Sequence, residues 1–517
     1  MVAHPSLSHS DWPWLAGLMV LGCLVLGAFA LTASILVEAE GGGLPSLSRG
    51  VPLDDAWIHF QFARNLARGD GFAFNPGQPT AGSTAPLWTV LLAGLYAAGG
   101  RFPLAGQLLS AASFLLTLGA TYALTKGLTD RRWAAGLAGA LVAVNGRMVW
   151  AGLSALETAL FAALTLLAIH SHLADQQAGR FRLRTAALFG LAALARPEGY
   201  LLFALAVADH GLRALASRSP TTSLRTRVAR LLPGLGLFAA LVLPTLIFSL
   251  HTAGQLMPNT FSAKARFNFL PSIDFLSLSA RYLVLDNALL LPFFLLGLGA
   301  LLGRARLLSA WAAGLPLVYA FLHAILYQHG RYLMPLIPCN AAIGVVGLLE
   351  ARRLARKRGW RWRGSQPVLG TVVALLLVAG TAWRLPTMAR QLAWNVENIN
   401  EMHVALGEWA AEHTAPDAVL ALNDIGAIAY VSQRQVVDLA GLVTPEVVPI
   451  LRGPDPTPQL LALMAERNVD YVIIFPDWFP TLADRSDRLT PVHQVSVARR
   501  TITGGPTMVV YRADWDS

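Results

Sequence analysis

Residues 54–88 read DDAWIHFQFARNLARGDGFAFNPGQPTAGSTAPLW, and they follow an apolar stretch at 14–37 and run into a shorter one at 85–99. Two adjacent aspartates open the stretch, an aromatic and apolar run follows, and turn-forming and small polar residues end it. The run predicts a helix that begins near Asp54 and ends near Gly69. A plain connection between spans has no need of such a sequence. The stretch therefore predicts a functional loop, whose chemistry depends on the side of the membrane that it faces.

The composition around this loop is that of a membrane protein. Of the 517 residues, 55% are hydrophobic and only 14% are charged, which excludes an ordinary soluble enzyme and indicates a polytopic helical membrane protein. Cys23 and Cys339, the only cysteines, lie in apolar segments and cannot build a disulfide framework or a thiolate metal site. The net charge of +10 sits in short loops between apolar segments, which favours the positive-inside rule over nucleic-acid binding.

The basic loops predict the topology. Five basic connections separate the apolar segments, and all five should face the cytoplasm. This requires two adjustments: 85–99, roughly 22 Å long as a helix, lies at the membrane interface, and 185–212 is broken at ARPEG (195–199) into two short spans. We then expect about 11 transmembrane helices, with an inside N-terminus. The apolar segments lie near 14–37, 85–99, 104–125, 133–147, 156–173, 185–212, 231–250, 287–303, 307–327, 331–350 and 367–384, and the basic connections are 126–132, 180–184, 213–230, 304–306 and 351–363.

This topology divides the chain into a transmembrane domain, 1–384, with its first external loop at 38–103, and a C-terminal domain, 385–517. The C-terminal domain reads as a small α/β domain on the extracytoplasmic side, with strands near 469–475 and 507–511. It contains no phosphate-binding loop of the G-x-x-x-x-G-K-[ST] type.

The external segments contain acids and cations suited to glycosyl transfer. Asp54 or Asp55 could act as a general base for an acceptor hydroxyl, or could merely cap the helix that they begin. Lys264 and Arg331 could hold the phosphate of a lipid-linked sugar, or could anchor to lipid headgroups. No His or acidic cluster has clear metal-ligand spacing.

The remaining candidates for substrate binding have equally plain structural alternatives. Glu157 begins a span, where an acid favours the helix dipole. Arg196 and Glu198 could pair with each other, Tyr332 could belong to an interfacial aromatic belt, and His59 could pair with Asp55 one helical turn away.

Taken in order, several motifs resemble those of bacterial GT-C superfamily glycosyltransferases that use polyprenyl-phosphate sugars. The chain is similar to mycobacterial terminal arabinofuranosyltransferases and to protein mannosyltransferase-like enzymes over nearly its whole length. The motifs are DDAWI, ARNLARGDGFAFNPG and GSTAPLW in the first loop, then GLSALET (152–158), LARPEG (194–199), MPNTFSAK (257–264), GRYLMPLIP (330–338), NDIGAIAY (423–430) and VVDLAGLVTPE (436–446).

The resemblance implies roles for individual residues. The first-loop acid of the family is its catalytic base, which matches Asp54 best, with Asp55 beside it. Glu157 corresponds to a second external acid that in some relatives helps to bind a metal, so a divalent metal is left open and no cofactor is assigned. The implied partners are a polyprenyl-phosphate sugar donor, an extracytoplasmic glycan, lipid or protein acceptor, and membrane lipids.

We therefore expect a GT-C-like enzyme of the bacterial cytoplasmic membrane that transfers a sugar with inversion. A transporter or flippase of a lipid-linked saccharide is the main alternative, and a non-catalytic envelope scaffold is a third. A transporter would favour paired repeats and ionisable groups at mid-membrane, whereas most charges outside the basic loops are predicted at the outer surface.

Overall fold

The structure, a computed structural model, describes residues 7–39, 50–178, 180–216, 229–265, 267–322, 328–358 and 366–515. Most of the basic connection at 213–230 and the end of the one at 351–363 lie outside the described residues, as do residues 40–49 of the first external loop.

Apolar helices build the first three quarters of the chain. Within the described ranges, seven helical segments are long and apolar enough to cross a membrane, and a pair bent by 65° between Ala143 and Gly146 makes up to eight. The prediction of about 11 spans therefore stays a prediction. The helices are α1 (Trp12–Ala39), α2 (Asp54–Arg68), α3 (Pro86–Ala97), α4 (Leu104–Thr129), α5 (Arg132–Ala143), α6 (Gly146–Leu153), α7 (Thr158–Gln177), α8 (Leu183–Ala195), α9 (Glu198–Ala216), α10 (Leu232–Ala253), α11 (Asn259–Lys264), α12 (Ile273–Asn287), α13 (Leu291–Leu301), α14 (Arg306–Leu322), α15 (Ile337–Lys357) and α16 (Gln366–Ala382).

The predicted break in 185–212 is confirmed. Helix α8 ends at Ala195, and Arg196 has extended backbone angles, φ −159° and ψ 147°. The following Pro197 disfavours the helical conformation for the residue before it, so the chain turns and α9 begins at Glu198. This break brings a buried arginine and a glutamate to the ends of two adjoining helices.

The predicted helix of the first loop is also confirmed. Helix α2 begins at Asp54, and Gly69 follows its last residue with φ of 90°, a conformation that glycine adopts without steric cost. Because Asp54 and Asp55 occupy the first turn, both side chains lie at one end of a rigid element. The next apolar segment, 85–99, forms α3, a short helix of only 12 residues. Its place at the membrane interface stays a prediction.

The C-terminal region contains a five-stranded mixed sheet with the order β2-β1-β3-β5-β4. Strand β1 runs parallel to β2 and β3, whereas β5 runs antiparallel to β3 and β4. The elements are α17 (Leu385–Ile399), α18 (Ala405–His413), β1 (Val419–Leu422), α19 (Gly426–Ser432), β2 (Gln435–Asp438), α20 (Val447–Leu451), α21 (Thr457–Glu466), β3 (Tyr471–Ile474), α22 (Pro480–Ala483), β4 (Leu489–Ser496) and β5 (Thr507–Ala513).

One face of this sheet packs against the first loop. Side chains alternate along β1, so that Leu420 and Leu422 face one apolar cluster and Ala421 faces another. Phe62 and Phe74, both from the first loop, are fully buried in the cluster that contains Leu422. The sheet and the first loop therefore share a core, which fixes the start of α2 relative to the C-terminal region.

Helix α17 packs in the opposite direction. Leu392 and Ala393 are buried in the same core as residues of α1 and α7, such as Phe29 and Phe161. Residues beyond 384 therefore contribute to the core of the apolar helices, and the domain boundary at 384 stays a prediction.

Candidate active site

The carboxylate of Asp55 lies between two cations from distant parts of the chain. Arg331 Nη2 is 2.6 Å from Asp55 Oδ2, and Lys264 Nζ is 4.0 Å from the same oxygen. Burial alone would raise the pKa of Asp55, but Lys264 and Arg331 hold it well below its usual range, so the group stays ionised. The Arg331 side chain is only 6% exposed, whereas that of Lys264 is 46% exposed. These three groups carry a summed charge of +1.

A second cluster forms around Arg196. Its Nη1 lies 2.7 Å from Glu157 Oε1, and its Nη2 lies 2.7 Å from Glu198 Oε1. The Tyr319 hydroxyl donates a further hydrogen bond to Glu198. All three charged side chains are at most 10% exposed. Arg196 thus pairs with Glu198, as its structural alternative predicted, and it also pairs with Glu157 at the same distance.

His59 belongs to this second cluster. Its Nε2 lies 3.6 Å from Glu157 Oε2, and its Nδ1 lies 3.5 Å from the Ser83 hydroxyl and 3.4 Å from that of Thr89. Burial lowers the pKa of His59 despite the nearby Glu157, which favours the neutral imidazole. The acid beside the His59 ring is therefore Glu157, and not Asp55 as its structural alternative predicted.

Tyr332 joins the two clusters. The guanidinium carbon of Arg196 lies 5.3 Å from the centroid of its ring, and that of Arg331 lies 5.5 Å from the same centroid. Both distances are within the range of cation–π contacts. Tyr332 therefore packs inside the site between two arginines.

Asp54 faces away from this network, toward the C-terminal region. Its Oδ2 accepts a hydrogen bond from the backbone N–H of Gly426, and its Oδ1 accepts one from that of Ala427, both at 2.7 Å. Burial raises the pKa of Asp54 to about 6, although nearby His403 and the two backbone donors lower it. Asp54 thus combines a fixed orientation with a pKa close to neutral.

Only glycine fits at position 426. A Cβ on Gly426 would overlap the backbone oxygen and both carboxylate oxygens of Asp54. On the side of the C-terminal region, His403 Nε2 lies 3.0 Å from Asp424 Oδ2, and Asp424 also acts electrostatically on Asp54. The motif NDIGAIAY therefore supplies the backbone that holds Asp54.

A divalent cation does not fit the acids of this site. Within the part of the chain that the structure describes, no three His, Cys, Asp or Glu side chains converge as metal ligands. Glu157 is paired with Arg196 and Asp55 with Arg331, so a guanidinium already occupies the position beside each carboxylate. Among the described residues, the acids of the site therefore offer no set of three ligands to a dication.

The nine candidate residues from the sequence all lie in or beside these two clusters. Sequence reasoning missed the residues that hold them: Gly426, His403 and Asp424 near Asp54, and Arg147 and Asp286 near Arg331. Gly426 lies in the motif NDIGAIAY, but no local pattern links it to residue 54. Arg147 and Asp286 were outside every motif.

Comparisons with known proteins address the architecture around this site. A family model described as "Domain of unknown function (DUF8728)" matches residues 394–512. No curated protein matches the sequence significantly. Solved structures match along almost the whole chain.

ArnT from Cupriavidus metallidurans, in the apo state, has a TM-score of 0.62 at 13% identity, covering 97% of this chain and 98% of that chain. The archaeal oligosaccharyltransferase AglB from Archaeoglobus fulgidus, in complex with an inhibitory peptide and a dolichol-phosphate, has a TM-score of 0.61 at 13% identity, covering 99% and 75%. The arabinofuranosyltransferase AftD from Mycobacteria has a TM-score of 0.55 at 17% identity, covering 100% of this chain and 40% of AftD. All three are GT-C superfamily glycosyltransferases.

The chain has the GT-C fold. The predicted GT-C-like fold of a multi-pass membrane protein is therefore confirmed. The number of spans and the extracytoplasmic side of the C-terminal region stay predictions. The resemblance is structural, since identity is below 20% to each of these proteins. Function has to be argued from the site.

Proposed function

We propose that this protein is an integral-membrane glycosyltransferase that moves a sugar from a polyprenyl-phosphate donor to an extracytoplasmic acceptor. The observation that carries the proposal is the cluster of Lys264, Arg331 and Asp55, whose charges sum to +1. A buried or half-buried site with surplus positive charge favours an anion. In support, ArnT has a solved structure bound to undecaprenyl phosphate, with a TM-score of 0.59 at 13% identity, covering 95% of this chain and 97% of that chain.

The two cations suit the leaving group. When the anomeric carbon–oxygen bond breaks, the electron pair stays with the lipid phosphate, which changes from a singly charged diester to a monoester with more negative charge. Arg331 offers a planar donor group held in place by Asp55, and Lys264 offers a more exposed point charge at the rim. Fixed cations at developing negative charge lower the barrier because they need no reorganisation during the reaction.

Asp54 suits the role of general base. In a displacement with inversion, the acceptor hydroxyl attacks the anomeric carbon from the side opposite the phosphate, so the base lies across the sugar from the cations. Asp54 adjoins Asp55 but faces the C-terminal region instead of Arg331. An ionised carboxylate has about four lone-pair sites, and its two backbone hydrogen bonds leave room to accept the hydroxyl proton. A pKa of about 6 suits a base that works near neutral pH.

Asp55 then has a positioning role, since its carboxylate holds both cations in one place. The cluster of Arg196, Glu157, Glu198 and His59 offers carboxylate and imidazole groups that could bind sugar hydroxyls. The proposal includes the transferred sugar, its acceptor and the location of the protein. The location is the bacterial cytoplasmic membrane, with the C-terminal region on its outer side.

The test combines a deletion strain with purified protein. Membranes of the deletion strain should accumulate a polyprenyl-phosphate sugar, and full-length protein in lipid nanodiscs should release polyprenyl phosphate from that lipid extract when an envelope acceptor fraction is added. Asp54→Asn should slow the release roughly 100-fold or more, because the amide cannot accept the proton. Asp130→Asn is a matched control, since Asp130 pairs with Lys126 beyond the far end of α4 and should leave the rate unchanged.

Two outcomes would contradict parts of this proposal. If no donor accumulates and wild-type protein releases nothing, the glycosyltransferase assignment is wrong. If Asp54→Asn retains wild-type turnover while Asp55→Asn or Glu157→Gln abolishes it, the base has been misassigned. An unchanged melting temperature of each variant separates lost chemistry from lost folding.

A further inference from the structure

Arg331 follows an unusual turn. Gln328, His329 and Gly330 have φ values of 58°, 61° and 68°, so three consecutive residues adopt left-handed conformations. Residues other than glycine rarely adopt this region, and such conformations persist only where surrounding contacts hold them. The direction in which Arg331 leaves the turn therefore depends on whatever fixes the turn.

Arg147 fixes it. Its Nε donates to the carbonyl oxygen of His329 and its Nη2 to that of Gly330, both at 2.8 Å. Its Nη1 donates to Asp286 Oδ2 at 2.7 Å, and its guanidinium stacks 4.3 Å from the ring centroid of Tyr282. The side chain is only 3% exposed. One buried arginine thus bridges the two peptide groups that precede Arg331.

Arg147 is itself held rigidly. It is the second residue of α6, and the Asn145 side chain caps that helix by accepting hydrogen bonds from the backbone N–H groups of Arg147 and Met148 at 3.1 Å. The Asn145 amide also lies 3.4 Å from Asp286 Oδ1. The turn is therefore tied to two helices rather than to a loop.

A side chain at position 330 would force Arg147 or Tyr282 to shift. A Cβ on Gly330 would lie 2.8 Å from Arg147 Nη2 and 2.8 Å from the Tyr282 ring. Because Gly330 also has positive φ, a side chain there would be strained as well as crowded. Gly330→Ala is therefore a second, independent way to disturb the same contact.

We propose that Arg147 is a positioning residue that aims Arg331 at the phosphate of the lipid-linked substrate, an inference that rests on the proposed function. Arg147 uses its donors on two carbonyls and Asp286, whose carboxylate neutralises its charge, so it contributes geometry rather than attraction for the anion. Arg331, by contrast, pairs with Asp55 through Nη2, and its Nε has no hydrogen-bond partner within the described residues.

The experiment measures binding of undecaprenyl phosphate to full-length protein in nanodiscs, without any transfer step. Arg331→Gln should weaken binding roughly 10- to 100-fold, the usual worth of a hydrogen bond to a charged group. Arg147→Gln should weaken it roughly three- to tenfold, since neutral carbonyl contacts are lost. Arg147→Lys keeps the charge beside Asp286 but not the planar double contact, and it should show a similar loss.

The decisive comparison is between two double variants. Arg147→Gln combined with Arg331→Gln should bind no worse than Arg331→Gln alone, because Arg147 acts through Arg331. Arg147→Gln combined with Lys264→Gln should instead show the product of the two single losses, because Lys264 lies on a separate helix. Arg182→Gln, which removes a different arginine–aspartate pair, should leave binding unchanged.

Each result supports or overturns the proposal. If Arg147→Gln weakens binding by the same factor in the Arg331→Gln and the Lys264→Gln variants, Arg147 supports the whole site and does not act through Arg331. Unchanged binding in folded Arg147→Gln would also overturn the inference. If Arg147→Gln does not fold, Arg147→Lys and Gly330→Ala carry the same double-variant test. Failure of wild-type protein to bind undecaprenyl phosphate would instead defeat the proposed function, and the inference with it.

Discussion

Arg196 and Lys264 are both cations beside carboxylates, but their surroundings differ in charge and burial. Arg196 is 6% exposed and touches two glutamates at 2.7 Å, so its cluster with Glu157 and Glu198 has a net charge of −1. Lys264 is 46% exposed and lies 4.0 Å from Asp55, in a cluster with a net charge of +1. A fully paired buried cation holds a structure together, whereas an incompletely paired one at the rim can bind an incoming anion. The two ends of the site therefore suit different parts of a sugar phosphate.

The largest expected effect is the loss of stability when the cation of the negatively charged cluster, Arg196 with Glu157 and Glu198, is removed. Arg196→Gln leaves two buried glutamates without their cation, which should destabilise the protein by about 3–5 kcal/mol. The melting temperature of purified protein in detergent should fall by several degrees. Adding Glu157→Gln and Glu198→Gln should restore part of the loss, because no uncompensated charge then remains. A melting temperature equal to that of the wild type would mean that Arg196 is not a structural cation.

The next largest effect is a weaker use of the donor when Lys264 of the positively charged cluster, Lys264 with Arg331 and Asp55, is replaced. Lys264→Gln should raise the KM for the lipid-linked donor roughly tenfold, the worth of one charge-assisted contact to phosphate. The melting temperature should change little, since a half-exposed ion pair contributes about 0–1 kcal/mol. Lys126→Gln, at the far end of α4, is a lysine control for the KM alone, since it removes a lysine–aspartate pair outside the site. An unchanged donor KM would return Lys264 to the role of a headgroup anchor.

The smallest expected effect is a pH dependence of kcat/KM, which distinguishes Asp54 from Asp55 by their pKa values. Asp54 has a pKa of about 6 and must be ionised to accept a proton, so kcat/KM should be flat above that pH and fall below it. Asp55, whose pKa is held well below the usual range, stays ionised throughout and adds no acid limb there. A value of kcat/KM for the donor that stays constant from pH 8 to pH 5 (roughly the window in which such a base titrates) would argue against Asp54 as the general base.

The sequence was sufficient to predict the GT-C-like fold, and the residues that it singled out lie together in the candidate site. Periodicity predicted α2, the Arg-Pro pair predicted the break between α8 and α9, and charge placement singled out Lys264 and Arg331. These features are local, or follow from the membrane itself. Ordered motifs then indicated the GT-C fold.

The pairing within the site was not predictable. Whether Asp54 or Asp55 would meet the cations depends on the rotation of α2, which the shared core with the C-terminal sheet determines. The contacts of Asp54 with residue 426, and of Arg147 with the turn at 329–330, join segments that are distant along the chain. Backbone donors and acceptors carry no sequence signature, so a single sequence cannot reveal them.

The contact between Asp54 and Gly426 spans 372 residues of chain. At the roughly 5–20 residues per second of protein synthesis, about 20–75 s separate the appearance of the two partners on the ribosome. During that interval the first loop exists without the backbone groups that orient its aspartate. A nascent or prematurely terminated chain would thus carry the acid but lack its support, and the complete site would arise only when the last quarter of the polypeptide has folded back onto the beginning.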